Sequence, residues 1–143
     1  MKWIGAWLAI LVTGMLLTGC GSTSTKFYNY ATKVPPPAGD MARIWFYRPI
    51  VMSASTNLPP VKVDGVTVGT SMPGKFFYAD IAPGRHKIST DPDGKKVIYV
   101  NISTSADTFV ECNISPQMVS RIVPTWMNES DGRRAIDDLR FGK

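Results

Sequence analysis

The sequence contains few of the side chains on which most catalytic and metal sites depend. Its 143 residues include two cysteines, Cys20 and Cys112, and one histidine, His86. A metal site usually needs three or four closely spaced His, Cys or carboxylate ligands, and neither a second histidine nor a thiolate pair is present. A glycine-rich phosphate loop and a Gly-x-Ser-x-Gly nucleophile motif are also missing. We therefore expect no metal, no cofactor, no catalytic residue and no enzymatic activity.

Long hydrophobic runs are missing too, apart from one near the N-terminus. Residues 4–17 are apolar except for Thr13 and small residues, and Lys2 precedes them. A run of about 14 residues is shorter than the roughly 20 that a transmembrane helix needs, and it is typical of an export signal. Leu17-Thr18-Gly19-Cys20 follows directly. These four residues resemble the lipobox of bacterial lipoproteins: an aliphatic residue, a small residue, glycine or alanine, then cysteine.

The lipobox resemblance implies a defined modification and a location. Diacylglycerol would be joined to the Cys20 thiol, and signal peptidase II would cleave between Gly19 and Cys20. Two or three acyl chains on one cysteine hold a protein durably at a membrane. Gly21 rather than aspartate follows the cysteine, which resembles the signal for delivery to the outer membrane. We expect a cell-envelope protein anchored to the outer membrane through Cys20, on its periplasmic side or its surface.

Composition divides the chain into three parts. We predict a signal peptide over residues 1–19, a lipidated N-terminus and Ser/Thr/Pro-rich tether over 20–40, and one domain over 41–143. The tether starts as a flexible Ser/Thr segment and ends in three prolines, which favour a stiff extended conformation. Its aromatic residues suggest that part of it lies against the domain or the membrane headgroups; they are Phe27, Tyr28 and Tyr30.

Residues beyond 41 alternate short apolar runs with turn signals about every 8 to 12 residues, as all-β sandwiches do. The pattern predicts strands that include 42–48, 75–81, 96–102 and 108–115. Asp64-Gly65, between two valine-rich runs, predicts a two-residue hairpin turn. We expect Pro124 to end an extended segment over 118–123. The predicted fold is a small antiparallel β-sandwich, Ig-like or PEGA-like.

A short helix is expected near the C-terminus. Asn128 to Asp131 offer capping side chains for a helix over 133–141, with Ile136 and Leu139 on one face. Two strands, which contain Tyr47 and Phe76, are bulky on both faces. One face must belong to the sandwich core, and the other either lies under this helix or forms an exposed binding patch that includes Tyr47.

Partner contacts and one alternative function can be assigned to named residues. Trp126-Met127 is predicted to form an exposed loop anchor for a partner, an envelope protein or a wall polymer. The alternative is an envelope hydrolase or wall-modifying enzyme in which Asp80 orients His86 as a general base. A histidine with a structural hydrogen bond is the ordinary interpretation of His86. A third hypothesis is a purely structural spacer.

The remaining cysteine and the charges suggest neither a reactive thiol nor a nucleic-acid site. Cys112 alternates with polar residues, and we predict that it lies on the buried face of a strand. The net charge is +5, with basic residues scattered along the chain rather than clustered. Nucleic-acid binding needs a concentrated basic patch, so no nucleic-acid partner is expected. A modest attraction to anionic headgroups or wall polymers is compatible with this charge.

Several segments of the domain, in order, resemble the bacterial lipoprotein family with domain of unknown function 2846. They are Ala42-Arg43-Ile44-Trp45-Phe46-Tyr47-Arg48-Pro49, Val63-Asp64-Gly65, Gly74-Lys75-Phe76-Phe77-Tyr78, Pro83-Gly84-Arg85-His86 and Gly132-Arg133. The resemblance implies a small β-sandwich in the cell envelope and supplies no activity. Our leading hypothesis is therefore a non-enzymatic, lipid-anchored binding or scaffolding domain.

Overall fold

The protein forms a layered β-structure with two short helices, as seen in a computed structural model that describes residues 25–51, 56–91, 93–115 and 118–143. The predicted signal peptide, Gly19 and Cys20 lie outside the described residues. The elements are α1 (Phe27–Ala31), β1 (Ala42–Arg48), β2 (Pro60–Val63), β3 (Val66–Thr70), β4 (Lys75–Ile81), β5 (Gly84–Ser89), β6 (Val97–Ile102), β7 (Thr108–Ser115), β8 (Met118–Met127), α2 (Glu129–Ile136) and β9 (Arg140–Phe141).

The strands form two sheets that pack face to face. Sheet A has the order β8-β7-β1-β4-β9, and sheet B has the order β3-β2-β5-β6. The predicted β-sandwich with a C-terminal helix is confirmed. Sheet A is mixed, because β1 pairs with β7 and β4 pairs with β9 in parallel. Parallel neighbours need a crossover connection, and the chain supplies one by passing through sheet B between β1 and β7.

The core between the sheets is built from alternate residues of each strand. In β1 the inward residues are Ala42, Ile44 and Phe46, and they pack with Val110 and Cys112 of β7. Asp64 and Gly65 both adopt positive φ angles, 50° and 85°, so the predicted two-residue hairpin between β2 and β3 is confirmed. That turn sets the register that directs the apolar residues of β2 into this core.

A second apolar cluster covers the outer face of sheet A. We call it the outer aromatic cluster: Phe27, Trp45, Tyr47, Phe76, Phe109, Ile136 and Leu139. Ile136 comes from α2, so of the two alternatives that the sequence left open for this face, cover by the C-terminal helix is the one that the structure has. All seven residues of β1 are buried as a result. The domain therefore has three layers: helices, sheet A and sheet B.

Helix α1 supplies the rest of this cover. The Phe27 ring meets Trp45 edge-to-face with 5.0 Å between centroids, and the Phe27 N–H donates to the Leu139 carbonyl at 3.2 Å. Tyr30 stacks on Phe141 at 4.2 Å. The fold therefore includes residues that the predicted tether over 20–40 assigned to a linker. Because their aromatic side chains complete a buried layer, residues 27–31 pack as part of the domain.

Two predicted element boundaries differ from the structure. Strand β8 continues through Pro124, which we expected to end it. The reason is position: β8 lies at the edge of sheet A, where a proline N atom need not donate to a neighbouring strand. Helix α2 spans Glu129–Ile136, not 133–141, because Asn128 caps it by accepting from the Asp131 N–H at 2.9 Å. Residues 140–141 are paired with β4 instead.

Close packing fixes α2 against β7. A Cβ atom placed on Gly132 would lie 2.5 Å from the Cβ and Cγ atoms of Phe109, so glycine permits this approach.

Neither helix in the described part of the chain has the length and apolar character required to cross a bilayer.

We expect Phe27→Ala to lower the free energy of unfolding by about 3 kcal/mol, because the substitution empties a buried aromatic site. Urea unfolding of the purified protein would measure it. Tyr28→Ala is the matched control on the same helix, and because the Tyr28 side chain is 69% exposed, its effect should stay within about 0.5 kcal/mol. Equal effects of the two substitutions would contradict the assignment of α1 to the domain.

Candidate functional site

A groove runs between α1 and α2 on the outer side of sheet A. Its volume is about 500 Å³. Its lining residues include Phe27, Tyr28 and Ala31 of α1 on one side, and Arg133 and Arg134 of α2 with the C-cap residue Asp137 on the other. Phe27 and Ala31 are its apolar floor, and Phe27 belongs to the outer aromatic cluster, so the groove combines an apolar floor with a charged rim. We call it the α1–α2 groove.

The two arginines on the rim differ in how firmly they are held. Arg133 contacts Glu129 Oε1 at 2.9 Å and Asp107 Oδ2 at 3.2 Å, and its guanidinium lies 5.4 Å from the Phe109 ring centroid. Arg134 has one ion pair, to Asp131 at 3.2 Å, and its side chain is 79% exposed. Arg133 is thus held in place by three neighbours, whereas Arg134 extends into solvent. Arg134 is the better placed of the two to contact a ligand.

A second groove of about 540 Å³ opens beside Tyr30, Tyr78 and Asp80. Arg43 donates to both carboxylate oxygens of Asp80, from Nε at 2.7 Å and from Nη2 at 2.8 Å. The Arg43 guanidinium also stacks 4.2 Å from the Tyr78 ring centroid. This hydrogen-bonded pairing raises the pKa of Arg43. Both oxygens of Asp80 therefore serve to neutralise a buried cation.

His86 is not brought together with Asp80. It lies on β5 of sheet B, where its Nδ1 is 2.7 Å from Asp64 Oδ2 and its Nε2 is 2.8 Å from the Ala82 carbonyl oxygen. A carbonyl oxygen only accepts, so Nε2 donates the hydrogen in its contact with Ala82. The imidazole joins two neighbouring turns. Its geometry is that of a structural histidine rather than a general base oriented by Asp80.

Asp64 is the acceptor at the centre of this contact. It accepts from the Lys87 backbone N–H at 2.9 Å as well as contacting His86. The Lys87 hydrogen bond, followed by the His86 hydrogen bond, lowers the pKa of Asp64 below its usual value. Asp64 therefore connects the hairpin between β2 and β3 to strand β5, and its role is structural.

Tyr47, predicted as a possible partner contact, is only 2% exposed and cannot serve as one. It belongs to the outer aromatic cluster, and its hydroxyl donates to Glu111 Oε2 at 3.1 Å. Burial, with the Glu111 charge as the second cause, raises the pKa of Tyr47. The sequence showed that both faces of β1 were bulky, but the helices that cover Tyr47 are distant in sequence.

Trp126 and Met127 lie at the end of β8, not in the predicted loop. Trp126 is 55% exposed. It pairs with Val110, an inward-facing residue, so the Trp126 side chain leaves sheet A on the face opposite to α2. Met127 pairs with Phe109 and packs against the outer aromatic cluster. The two neighbours therefore point to opposite faces, and only Trp126 presents a large exposed ring.

Cys112 lies in the core between the sheets, as predicted. Burial raises the pKa of its thiol to about 12, which keeps it protonated and unreactive at neutral pH. Within the ranges that the structure describes, no group of three or more His, Cys, Asp or Glu side chains is arranged to hold a metal ion. The side chains described above form ion pairs, as Arg43 and Asp80 do, or aromatic surfaces, as Trp126 does.

The α1–α2 groove was missed from the sequence. Its first wall is a five-residue helix, shorter than any segment whose periodicity can be recognised with assurance. The one available signal was the spacing of Phe27 and Tyr30, which are three positions apart, so that both rings lie on one side of a helical turn.

Comparison with known families gives one match. A family described as "Protein of unknown function (DUF2846)" matches residues 38–121, more than half of the chain. The matched range covers β1 to β7 and the start of β8, and both helices lie outside it. No curated protein and no solved structure matches the chain.

We expect Asp64→Asn to lower the free energy of unfolding by about 0.5–1 kcal/mol near neutral pH, since the pair with His86 is partly exposed. A carboxylate whose pKa is lowered by folding stabilises the protein above its unfolded value, about 3.9, and this contribution is lost as the pH falls through the folded value. Urea unfolding at about pH 6 and about pH 2 should show the difference at the higher pH only. Asp93→Asn, in an exposed turn, is the control and should show no such dependence.

Proposed function

The chain belongs to the DUF2846 family, and from this premise we propose that it is a non-enzymatic, lipid-anchored lipoprotein of the cell envelope whose β-sandwich binds another envelope component. The family supplies no activity. The proposal therefore rests on the lipobox resemblance at Leu17-Thr18-Gly19-Cys20 and on the distance along the chain from that cysteine to the fold. Palmitate and other acyl chains on Cys20 would place it at the outer membrane.

The observation that carries the proposal is the position of α1. Thr25 follows Cys20 by five positions, and its carbonyl oxygen already accepts a hydrogen bond from the Phe141 N–H at 3.1 Å. A fully extended chain of five residues spans at most about 18 Å. A lipidated Cys20 would accordingly hold the sandwich close to the bilayer, in contrast to a domain on the tether over residues 20–40 that the sequence suggested.

Trp126 is the best candidate for the partner contact. Large aromatic side chains that remain exposed on a folded domain are enriched at protein interfaces, because they bury much area at little entropic cost. Trp126 stands on β8, an edge strand of sheet A, and points away from the helices. An envelope protein or a wall polymer could therefore contact it while the lipid anchor is engaged.

The competing hydrolase hypothesis receives no geometric support. It required Asp80 to orient His86. Asp80 is instead hydrogen-bonded to Arg43 on sheet A, and His86 on sheet B is hydrogen-bonded to Asp64. A general base must be within hydrogen-bond reach of its orienting group. The binding proposal needs no such convergence.

We expect Cys20→Ala to abolish acylation. Cells expressing the protein would be labelled with radioactive palmitate, and the protein would be followed into the detergent phase of a Triton X-114 extract. The wild type should carry label and partition with detergent, whereas Cys20→Ala should carry no label and should keep its uncleaved residues 1–19. Cys112→Ala is the matched control and should retain the label. Label that persists in Cys20→Ala would disprove the anchor.

A photo-crosslinking amino acid placed at Trp126 should form a discrete adduct with a partner in intact envelopes. The control is the same amino acid at Tyr99, which is 58% exposed on the far side of sheet B. Gel shift and mass spectrometry of the adducts would identify the partner. Adducts of equal yield and pattern at both positions would argue against a specific role for Trp126.

A further inference from the structure

We infer that the α1–α2 groove is a membrane-docking face, which rests on the headgroups of the bilayer that holds Cys20. The occupant is a bilayer surface that contains anionic phospholipid. This inference rests on the proposed lipid anchor and extends it, because it adds an orientation: the helical layer faces the membrane, and sheet B faces away.

The length of chain between the anchor and the groove is the first support. Tyr28 lies eight positions beyond Cys20, and the last of these positions are already helical. Five positions separate Cys20 from Thr25, and even a fully extended chain of that length spans at most about 18 Å. The groove is therefore the part of the described surface nearest to the anchor along the chain, and a short tether brings it to the bilayer first.

The side chains of the groove match a lipid headgroup layer. Tyr28 presents an exposed phenol ring, and tyrosine is enriched where one end of a side chain meets apolar surface and the other meets water. The exposed guanidinium of Arg134 is suited to a phosphate group. The floor at Phe27 and Ala31 is apolar. Asp137 is the one acidic residue among the lining side chains, beside two arginines.

The N-terminal segment adds positive charge close to the groove along the chain. Residues 21–39 contain Lys26 and Lys33 and no acidic residue. Each lysine or arginine near an anionic leaflet contributes a favourable interaction. Lys26 is within 3.2 Å of Asp138, so part of this charge is neutralised, and the intrinsic attraction is modest.

A modest attraction is enough on a short tether. Once one end of the chain is anchored, the second contact is intramolecular, with an effective concentration in the millimolar range. A surface that would not hold the domain from solution can then fix its orientation. The far face of sheet B gains nothing from this effect, because the whole sandwich separates it from α1.

The test compares two tryptophan positions in the acylated protein, reconstituted in vesicles of phosphatidylcholine and phosphatidylglycerol with and without brominated lipid. Both proteins carry Trp126→Phe, so that the emission of the buried Trp45 is the same background signal in each. Tyr28→Trp reports on the groove, and Tyr99→Trp reports on a site of similar exposure on the far face. We expect brominated lipid to quench the emission of the Tyr28→Trp protein and to leave that of the Tyr99→Trp protein unchanged.

A charge reversal provides the second arm. In the Tyr28→Trp background, Arg134→Glu should reduce the quenching in phosphatidylglycerol vesicles, and the reduction should disappear at high salt. Arg85→Glu on sheet B is the matched control and should not reduce it. Circular dichroism of each variant confirms that the fold is retained.

The outcomes separate the two proposals. A protein that is acylated and floats with vesicles, but is quenched equally at both positions, keeps its anchor and overturns the docking face. The same holds if position 28 is unquenched in vesicles yet crosslinks to a protein in intact envelopes, since the occupant would then be a protein. A protein that is not acylated and does not float overturns the anchor and, with it, the docking face.

Discussion

Burial of both faces of β1 is the constraint on which the rest of the structure depends. The strand alternates Ile44 and Phe46 on one side with Trp45 and Tyr47 on the other, and all four are buried. A sheet with two apolar faces is stable only if each face is covered by another layer. Sheet B covers the first. The second would expose a row of aromatic rings without α1 and α2, so the two short helices are required parts of the fold.

The same strand also explains the two-bond ion pair between Arg43 and Asp80. Arg43 shares the outer face with Trp45 and Tyr47, and covering that face removes its guanidinium from water. A buried cation is tolerated only when its charge and its donors are satisfied. Asp80 lies directly opposite Arg43 in the β1–β4 ladder and supplies both oxygens. An aspartate that looked like a catalytic candidate in the sequence is therefore fixed by the packing of β1.

The features that could be predicted from the sequence are those that a residue and its immediate neighbours in the chain determine. Asp64-Gly65 needs two positive φ angles, and few dipeptides other than this one adopt them readily, so the hairpin could be predicted. The alternation around Cys112 placed its side chain correctly. Pro124 was misjudged because the rule for proline depends on whether a strand lies at an edge, and strand order is a property of the whole sheet. The alternation of residues in β1 shows that the face of Tyr47 is apolar, but it does not show which element packs against that face. The choice between a covering helix and an exposed patch therefore stayed open.

Helix α1 is the case with the largest functional consequence. Its five residues are too few to be stable alone, and they are helical because Phe27 enters a layer formed by β1, β4 and β7. The family match, over residues 38–121, contains those strands but neither helix. The outer face of sheet A is thus completed by segments that flank the matched region, and one of them leads directly to Cys20. The packing of a single phenylalanine therefore links the core to the position of the chain beside the predicted anchor. If Cys20 is acylated, the core that stabilises the domain also determines which of its faces lies nearest the membrane.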